Sequence, residues 1–411
     1  MRDISFSPVC GEMTSTRYNR NSGKINSIFH VFSRVVSLLP IATLFQGFSA
    51  LSLANKLLIA ISVVLLFFSF FYLRMRIEIW FQLLSAVGLT FIGMCFTQES
   101  LINSNMPVYF PFFVLLLTLS GEQPNLLRAQ LRENVRWYRN ICIIWCLLVV
   151  LSIPLSISYD QDGYFTSFTG NSFRTDPAAL LILTYLILLV RNNACQRPLS
   201  FILSLIPLYC GLMGSSRTYF LIILLTYFIF LKCLIKDNKT FLFCLLMGFT
   251  VMVPVIFSSN IGQRIVNSLT DSSDGYYGYW ATLTSGRSRF WAHDIQRFFE
   301  MPFLKQLIGA GFNQVFLFNK ELGTSIWAHN DFLNIVITNG YIGLISYLIA
   351  VYTLFRMYKK NKITYNPWFF VLMIMIWAFN AFFNMVYTYT CATVALAILP
   401  LILGDCNSTD A

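Results

Sequence analysis

The stretch Trp327-Ala328-His329-Asn330-Asp331-Phe332-Leu333 sets an imidazole and a carboxylate two residues apart, where a long polar segment re-enters an apolar run. Imidazole titrates near neutrality, so His329 can take a proton from a hydroxyl within hydrogen-bond reach. Asp331 either orients that imidazole or caps the helix that follows. Arg217, in Gly214-Ser215-Ser216-Arg217-Thr218, separates two apolar runs with almost no loop between them. A guanidinium there is either buried and paired, facing a polar cavity, or snorkelling to the membrane edge. Ser285-Gly286-Arg287-Ser288-Arg289-Phe290-Trp291 opens an amphipathic helix that Pro302 ends. Phe290, Ile295, Phe298 and Phe299 share one side of it, and Arg289, Asp294 and Arg297 lie elsewhere. Arg287 and Arg289 then stand near a helix N-terminus, which suits a phosphate-bearing ligand and equally suits lipid headgroups.

Other polar features carry less. His293 lies inside the loop helix without a surrounding pattern and is left out of the site. Tyr276, Tyr277, Tyr279 and Trp280 form either a sugar-stacking platform or an interfacial aromatic belt. Gly309-Ala310-Gly311 reads as a hinge or tight turn, because a lone Gly-x-Gly is no nucleotide-binding loop. Cys142 and Cys146 sit four apart on one helix with no acid or histidine near, and read as packing residues. The external side offers no carboxylate pair, Asp-x-Asp pattern or His/Cys cluster, so no metal and no cofactor are expected.

The elements that must position these residues are membrane helices. A composition of 56% hydrophobic and 11% charged residues, with mean hydropathy +0.64, excludes a soluble globular domain. About twelve apolar runs are long enough to cross a hydrocarbon core, the fourth and sixth being short. They read as 35–54, 57–73, 79–97, 106–120, 140–158, 177–190, 198–214, 218–235, 240–258, 331–355, 367–387 and 390–404. Most of the 29 Lys and Arg fall in alternate loops, which puts both termini in the cytoplasm. The net charge of +11 follows from this topology and from anionic inner-leaflet lipid, so nucleic acid is not a partner. No cleavable leader is expected, since a polar stretch precedes the first apolar run. The organisation is a membrane domain over 1–258, an external loop over 259–330, and C-terminal spans with a tail over 331–411. The two halves show no self-similarity of the sort found in repeat-built transporters.

In three ordered places the chain resembles the O-antigen ligase and O-antigen polymerase (Wzy-type) superfamily of bacterial membrane proteins. Gly214-Ser215-Ser216-Arg217 is similar to the family's Ser-Arg element, and Ser285-Gly286-Arg287 with Trp291 to its Gly-Arg helix. His329-Asn330 with Gly340, Gly343 and Leu344 is similar to its C-terminal motif. Phe173-Arg174-Thr175-Asp176-Pro177 is similar to the family's external turn before a membrane helix. The resemblance is strongest over 210–350. It implies an all-α, GT-C-like glycosyltransferase in the bacterial inner membrane, acting at the periplasmic face. The implied donor is a glycan on undecaprenyl pyrophosphate, and the acceptor a sugar hydroxyl. Arg217 and Arg287 would hold the departing pyrophosphate, His329 would act as base, and Arg289, Arg174, Asp331 and Trp291 would contact substrate. Polymerisation of lipid-linked O-antigen repeat units, with a separate chain-length regulator, is the first expectation. Ligation of the polymer to lipid A-core is the second. A transporter is the third, and it would need charges along several spans, whereas these sit at span ends.

Overall fold

In the computed structural model, residues 12–73, 77–97, 106–235, 237–259, 262–263, 265–266, 284, 286–360 and 366–404 are described. Ser285, the cluster Tyr276 to Trp280 and most of the external loop before Gly286 lie outside them. The first half contains α1 (Glu12–Ser37), α2 (Leu39–Leu44), α3 (Ser49–Tyr72), α4 (Ile77–Thr97), α5 (Met106–Glu122), α6 (Pro124–Glu133) and α7 (Val135–Ser152). Then come α8 (Ser172–Arg191), α9 (Arg197–Met213), α10 (Arg217–Leu234) and α11 (Asn238–Ser258). The loop carries α12 (Arg287–Glu300), α13 (Phe303–Ile308) and α14 (Gln314–Lys320). The chain returns to the bundle as α15 (Asp331–Lys360), α16 (Pro367–Phe383) and α17 (Thr390–Leu403).

This is an all-α integral membrane protein. Among the described residues eight helices are long and apolar enough to span a bilayer; of four shorter apolar helices, two lie between them in sequence and two, Pro367–Phe383 and Thr390–Leu403, follow the last. α8 is buried at every position from Thr175 to Val190, and α17 from Thr390 to Leu403. A helix that is apolar all round belongs in an interior, and these two form the centre against which α2, α5, α7, α9 and α10 pack. α11 instead presents Leu242, Phe243, Leu246 and Phe257 outward, as suits hydrocarbon surroundings.

Several spans depart from the bounds read in the sequence; the run at 140–158, for one, ends at Ser152. The run at 35–54 is cut by the 3-10 turn Phe45–Gly47, and its helix begins earlier, through the polar residues after Gly23. Of those polar residues, Lys24, Asn26 and Ser27 stay exposed, whereas Arg34 Nε donates to Asn134 Oδ1 at 3.1 Å and the buried Ser33 shares a 2.7 Å hydrogen bond with Tyr138. The run at 367–387 stops at Phe383, and 384–389 is an irregular turn.

α15 is broken. Gly340 has φ 68 and ψ −173, which divides a first segment, from Asp331 to Asn339, from the rest of the helix. Non-helical backbone at such depth must find partners inside the protein. The Gly309-Ala310-Gly311 turn supplies them: Ala310 N–H donates to Ile337 O at 2.9 Å, and Gly311 N–H to Thr338 O at 3.1 Å. The turn therefore docks the long loop into the helix break. A Cβ on Gly340 would lie 2.3 Å from Leu307 O, and one on Gly309 would lie 2.2 Å from Thr338 O. Gly340→Ala combines a positive φ with a backbone clash, and about 2–5 kcal/mol of stability should be lost. In fluorescence-detected size-exclusion after detergent extraction, its folded peak should collapse at a temperature the wild type survives. Gly88→Ala, with nothing within 4 Å of its Cβ, should behave as wild type.

Candidate active site at the loop end of the bundle

The starts of α8, α10 and α15 and the end of α16 meet at the end of the bundle that carries the long loop with α12 to α14. Ser172 and Ser215 share a hydrogen bond that joins the first turn of α8 to the residues just before α10. Ser216 then caps α10 by accepting from Tyr219 N–H at 3.3 Å. The Tyr219 ring meets Tyr389 edge-on at 6.0 Å, which brings in the turn after α16.

His329 sits at the centre of this end, two residues before α15. Its backbone is left-handed, φ 49, a conformation few non-glycine residues adopt, and its ring lies 6.1 Å from that of Phe173. Nδ1 is buried without a hydrogen-bond partner. Burial, and then the neighbouring Arg287 guanidinium, depress the imidazole from 6.5 to about 3. His329 is thus neutral at physiological pH, with a ring nitrogen unspent.

Arg287 reaches this place because α12 begins on it. Gly286 at φ 79 turns the chain into the helix, and Arg287 Nη1 donates to the carbonyl of Phe383, the last residue of α16. Trp291, one turn on, donates from Nε1 to Ala328 O at 2.6 Å, and its ring lies 6.2 Å from Phe383. Trp291 therefore acts as a bracket holding the loop helix to the backbone beside His329.

The stripe of α12 turned toward the protein is the half-buried Trp291 with the buried Asp294 and Phe298. Of the apolar group read from the sequence, Phe298 is turned inward, whereas Ile295 and Phe299 are 43% and 64% exposed. Docking on α14 and α15 selects positions at i, i+3 and i+7, and that stripe includes an acid. Burial pushes the Asp294 carboxyl from 3.8 up to about 7. The folded state therefore holds a proton that the unfolded chain gives up above 3.8, so the stability this contributes is present below 3.8 and lost as pH rises to about 7. Asp294→Asn should flatten that part of the stability profile, measured as Tm against pH in detergent. His293, four residues before the ion pairs Arg297–Glu300 and Arg297–Glu321, lies 3.0 Å from Phe318 O and takes a structural place.

The remaining candidates divide. Burial raises the Tyr389 phenol to about 12, with Arg287 and then Arg174 the nearest charges opposing the rise. Arg174 and Arg287 thus both act electrostatically on one side chain that the sequence did not single out. Arg174 is exposed, with Nη1 3.5 Å from Gln46 O. Arg217 is the first residue of α10, two before Tyr219, and Arg289 is exposed on the first turn of α12. Asp331 does neither thing read from the sequence. Asn330 Oδ1 caps the helix by accepting from Leu333 N–H at 3.1 Å. Asp331 is fully buried, accepting from Tyr347 OH at 3.0 Å and Val386 N–H at 2.9 Å, and so fixes the 384–389 turn to α15. Among the described residues no three His, Cys, Asp or Glu side chains gather as metal ligands would.

The Phe383 carbonyl was missed because the apolar run was read through to residue 387, and Tyr389 fell in the two-residue gap before the next run. The signal was present in Asn384 and in Tyr387-Thr388-Tyr389, a polar interruption too short to break a hydropathy window.

Comparison with known proteins gives one informative similarity. Over 248 residues the chain is 26% identical to the ComP-specific O-oligosaccharyltransferase of Acinetobacter baylyi. That relative is named for transferring an oligosaccharide. The match covers 54% of this chain and 43% of the relative, so the chain spans less than half of the relative's length. No family model matches.

Proposed function

We propose that this chain is a membrane-embedded glycosyltransferase that moves a glycan from a lipid pyrophosphate, of the undecaprenyl type, onto the hydroxyl of a separate acceptor at the periplasmic face. The observation that carries the reading is the neutral imidazole of His329, its buried Nδ1 without a partner, beside the fixed cation Arg287. In the transfer, the acceptor oxygen attacks the anomeric carbon and the bond from that carbon to the pyrophosphate oxygen breaks. The hydroxyl proton passes to His329 Nδ1, and the lipid pyrophosphate leaves with the electron pair. Arg287 stabilises the leaving anion, with Arg217 and Arg174 in support and Arg289 at the rim. The same anion offsets the field of Arg287 at His329, so donor binding raises the basicity of an imidazole that is weak in the empty site.

Polymerisation, the first expectation from sequence, gives way to transfer onto an acceptor, because the similar protein is an oligosaccharyltransferase. A chain-length regulator then has no part. The acceptor is lipid A-core or another molecule with a free hydroxyl. The reading is tested in liposomes holding the purified protein and a lipid-pyrophosphate-linked repeat unit. Consumption of donor only when acceptor is added is expected. A glycan ladder without acceptor would restore polymerisation, and no consumption of the native donor under either condition would overturn the transferase.

A further inference from the structure

A cavity of about 200 Å³ opens beside His329, walled by Gln46, Asn55, Tyr109, Arg174, Trp327 and Tyr389 together with neighbouring threonines. That is far more space than one water needs and leaves room for a group with the bulk of a sugar ring. Three wall residues tie it to that centre: Arg174 follows Phe173, which touches the His329 ring; Trp327 lies two residues before His329; and Tyr389 feels the Arg287 charge.

Asn55 is the informative wall residue. It stands in the apolar helix α3, is 2% exposed, and its Oδ1 has no hydrogen-bond partner. Leaving a buried amide oxygen unpaired costs about 1–3 kcal/mol, which a ligand carrying a donor would relieve. A lipid tail carries none. A phosphate site gathers cations and N–H donors, whereas Arg174 is the single charged side chain in the described lining. The other polar groups, amides and hydroxyls of Asn, Gln, Thr and Tyr, both donate and accept, and aromatic rings stand among them. Paired hydroxyl chemistry with apolar ring faces is the chemistry of a sugar. Phe316 packs edge-on against Trp327 at 4.1 Å and fixes its place in the wall.

We propose that this cavity is the subsite for the sugar ring bonded directly to the donor's pyrophosphate. Asn55 and Tyr109 meet its hydroxyls, Trp327 its face, and Arg174 and Tyr389 lie where sugar and pyrophosphate join. The assignment rests on the glycosyl-transfer reading and adds the group that sets donor specificity.

The test uses the full chain in nanodiscs and two kinds of probe: undecaprenyl pyrophosphate alone, and the same lipid bearing a single N-acetylglucosamine, N-acetylgalactosamine or galactose. Wild type should bind at least one sugar-bearing lipid about ten-fold more tightly than the bare lipid, the worth of one or two hydrogen bonds. Asn55→Leu should abolish that preference and still bind the bare lipid as wild type does, which also shows that it is folded. His329→Asn should keep the preference. A preference unchanged in Asn55→Leu, or equal weakening toward both lipids, overturns the subsite, as does a wild type that does not distinguish them. A wild type that binds neither lipid overturns the transferase itself, a separate result.

Discussion

His329→Asn should keep the protein folded and lower glycan transfer by about 10²–10⁴-fold, the worth of a positioned general base. Asparagine is the informative replacement because it tolerates the left-handed backbone that His329 adopts, so the loss reports the missing base rather than relieved or added strain. A second readout is independent of activity. The imidazole is held near 3 in the fold against 6.5 in the unfolded chain, so the unfolded chain takes up a proton first as pH falls. The stability this contributes is full above 6.5 and is lost toward about 3. His329→Asn should flatten the fall of Tm across that window. A variant with wild-type turnover would remove His329 from the chemistry.

Arg287→Gln should lower transfer by about 10²–10³-fold, as expected when a donor aimed at developing negative charge is removed. Arg287 also contributes to the depression of His329, second to burial. In its absence the imidazole titrates higher, so the acid limb of the residual activity should move to higher pH. Arg287→Lys should not rescue turnover, because an ammonium is a point charge that cannot both hold the Phe383 carbonyl and face a phosphate bidentately. Full activity in the lysine variant would reduce Arg287 to bulk electrostatics. An unmoved acid limb in Arg287→Gln would separate it from His329.

Hydropathy made the apolar helices legible, because crossing a membrane demands long runs of one chemistry and tolerates few exceptions. The ends of helices were less legible. Phe45–Gly47 and Asn384–Tyr389 are short polar interruptions that a hydropathy window averages away, yet the second carries Tyr389 and is held by Asp331. Arg287, Trp291 and His329 were visible as types at unusual places, and the structure brings them together through one indole hydrogen bond and one helix-end carbonyl. Asp331 was visible but misread, because its partners, Tyr347 and Val386, are 16 and 55 residues away in sequence. The Gly309–Gly311 turn was recognised as a turn. Its docking into the break at Gly340 was not, since nothing local marks which of several glycines interrupts a helix. Asn55 escaped notice for the same reason: one amide in an apolar run looks tolerable until the cavity beside it is seen.

The most direct measurement is a stoichiometry. Purified wild type and His329→Asn are reconstituted side by side with lipid-pyrophosphate-linked glycan and an acceptor, and glycosylated acceptor and free lipid pyrophosphate are quantified together. Equal amounts of both products in the wild type, and neither above background in the variant, are expected. Free lipid pyrophosphate without glycosylated acceptor, or equal products from both proteins, would contradict a glycosyl transfer run by His329.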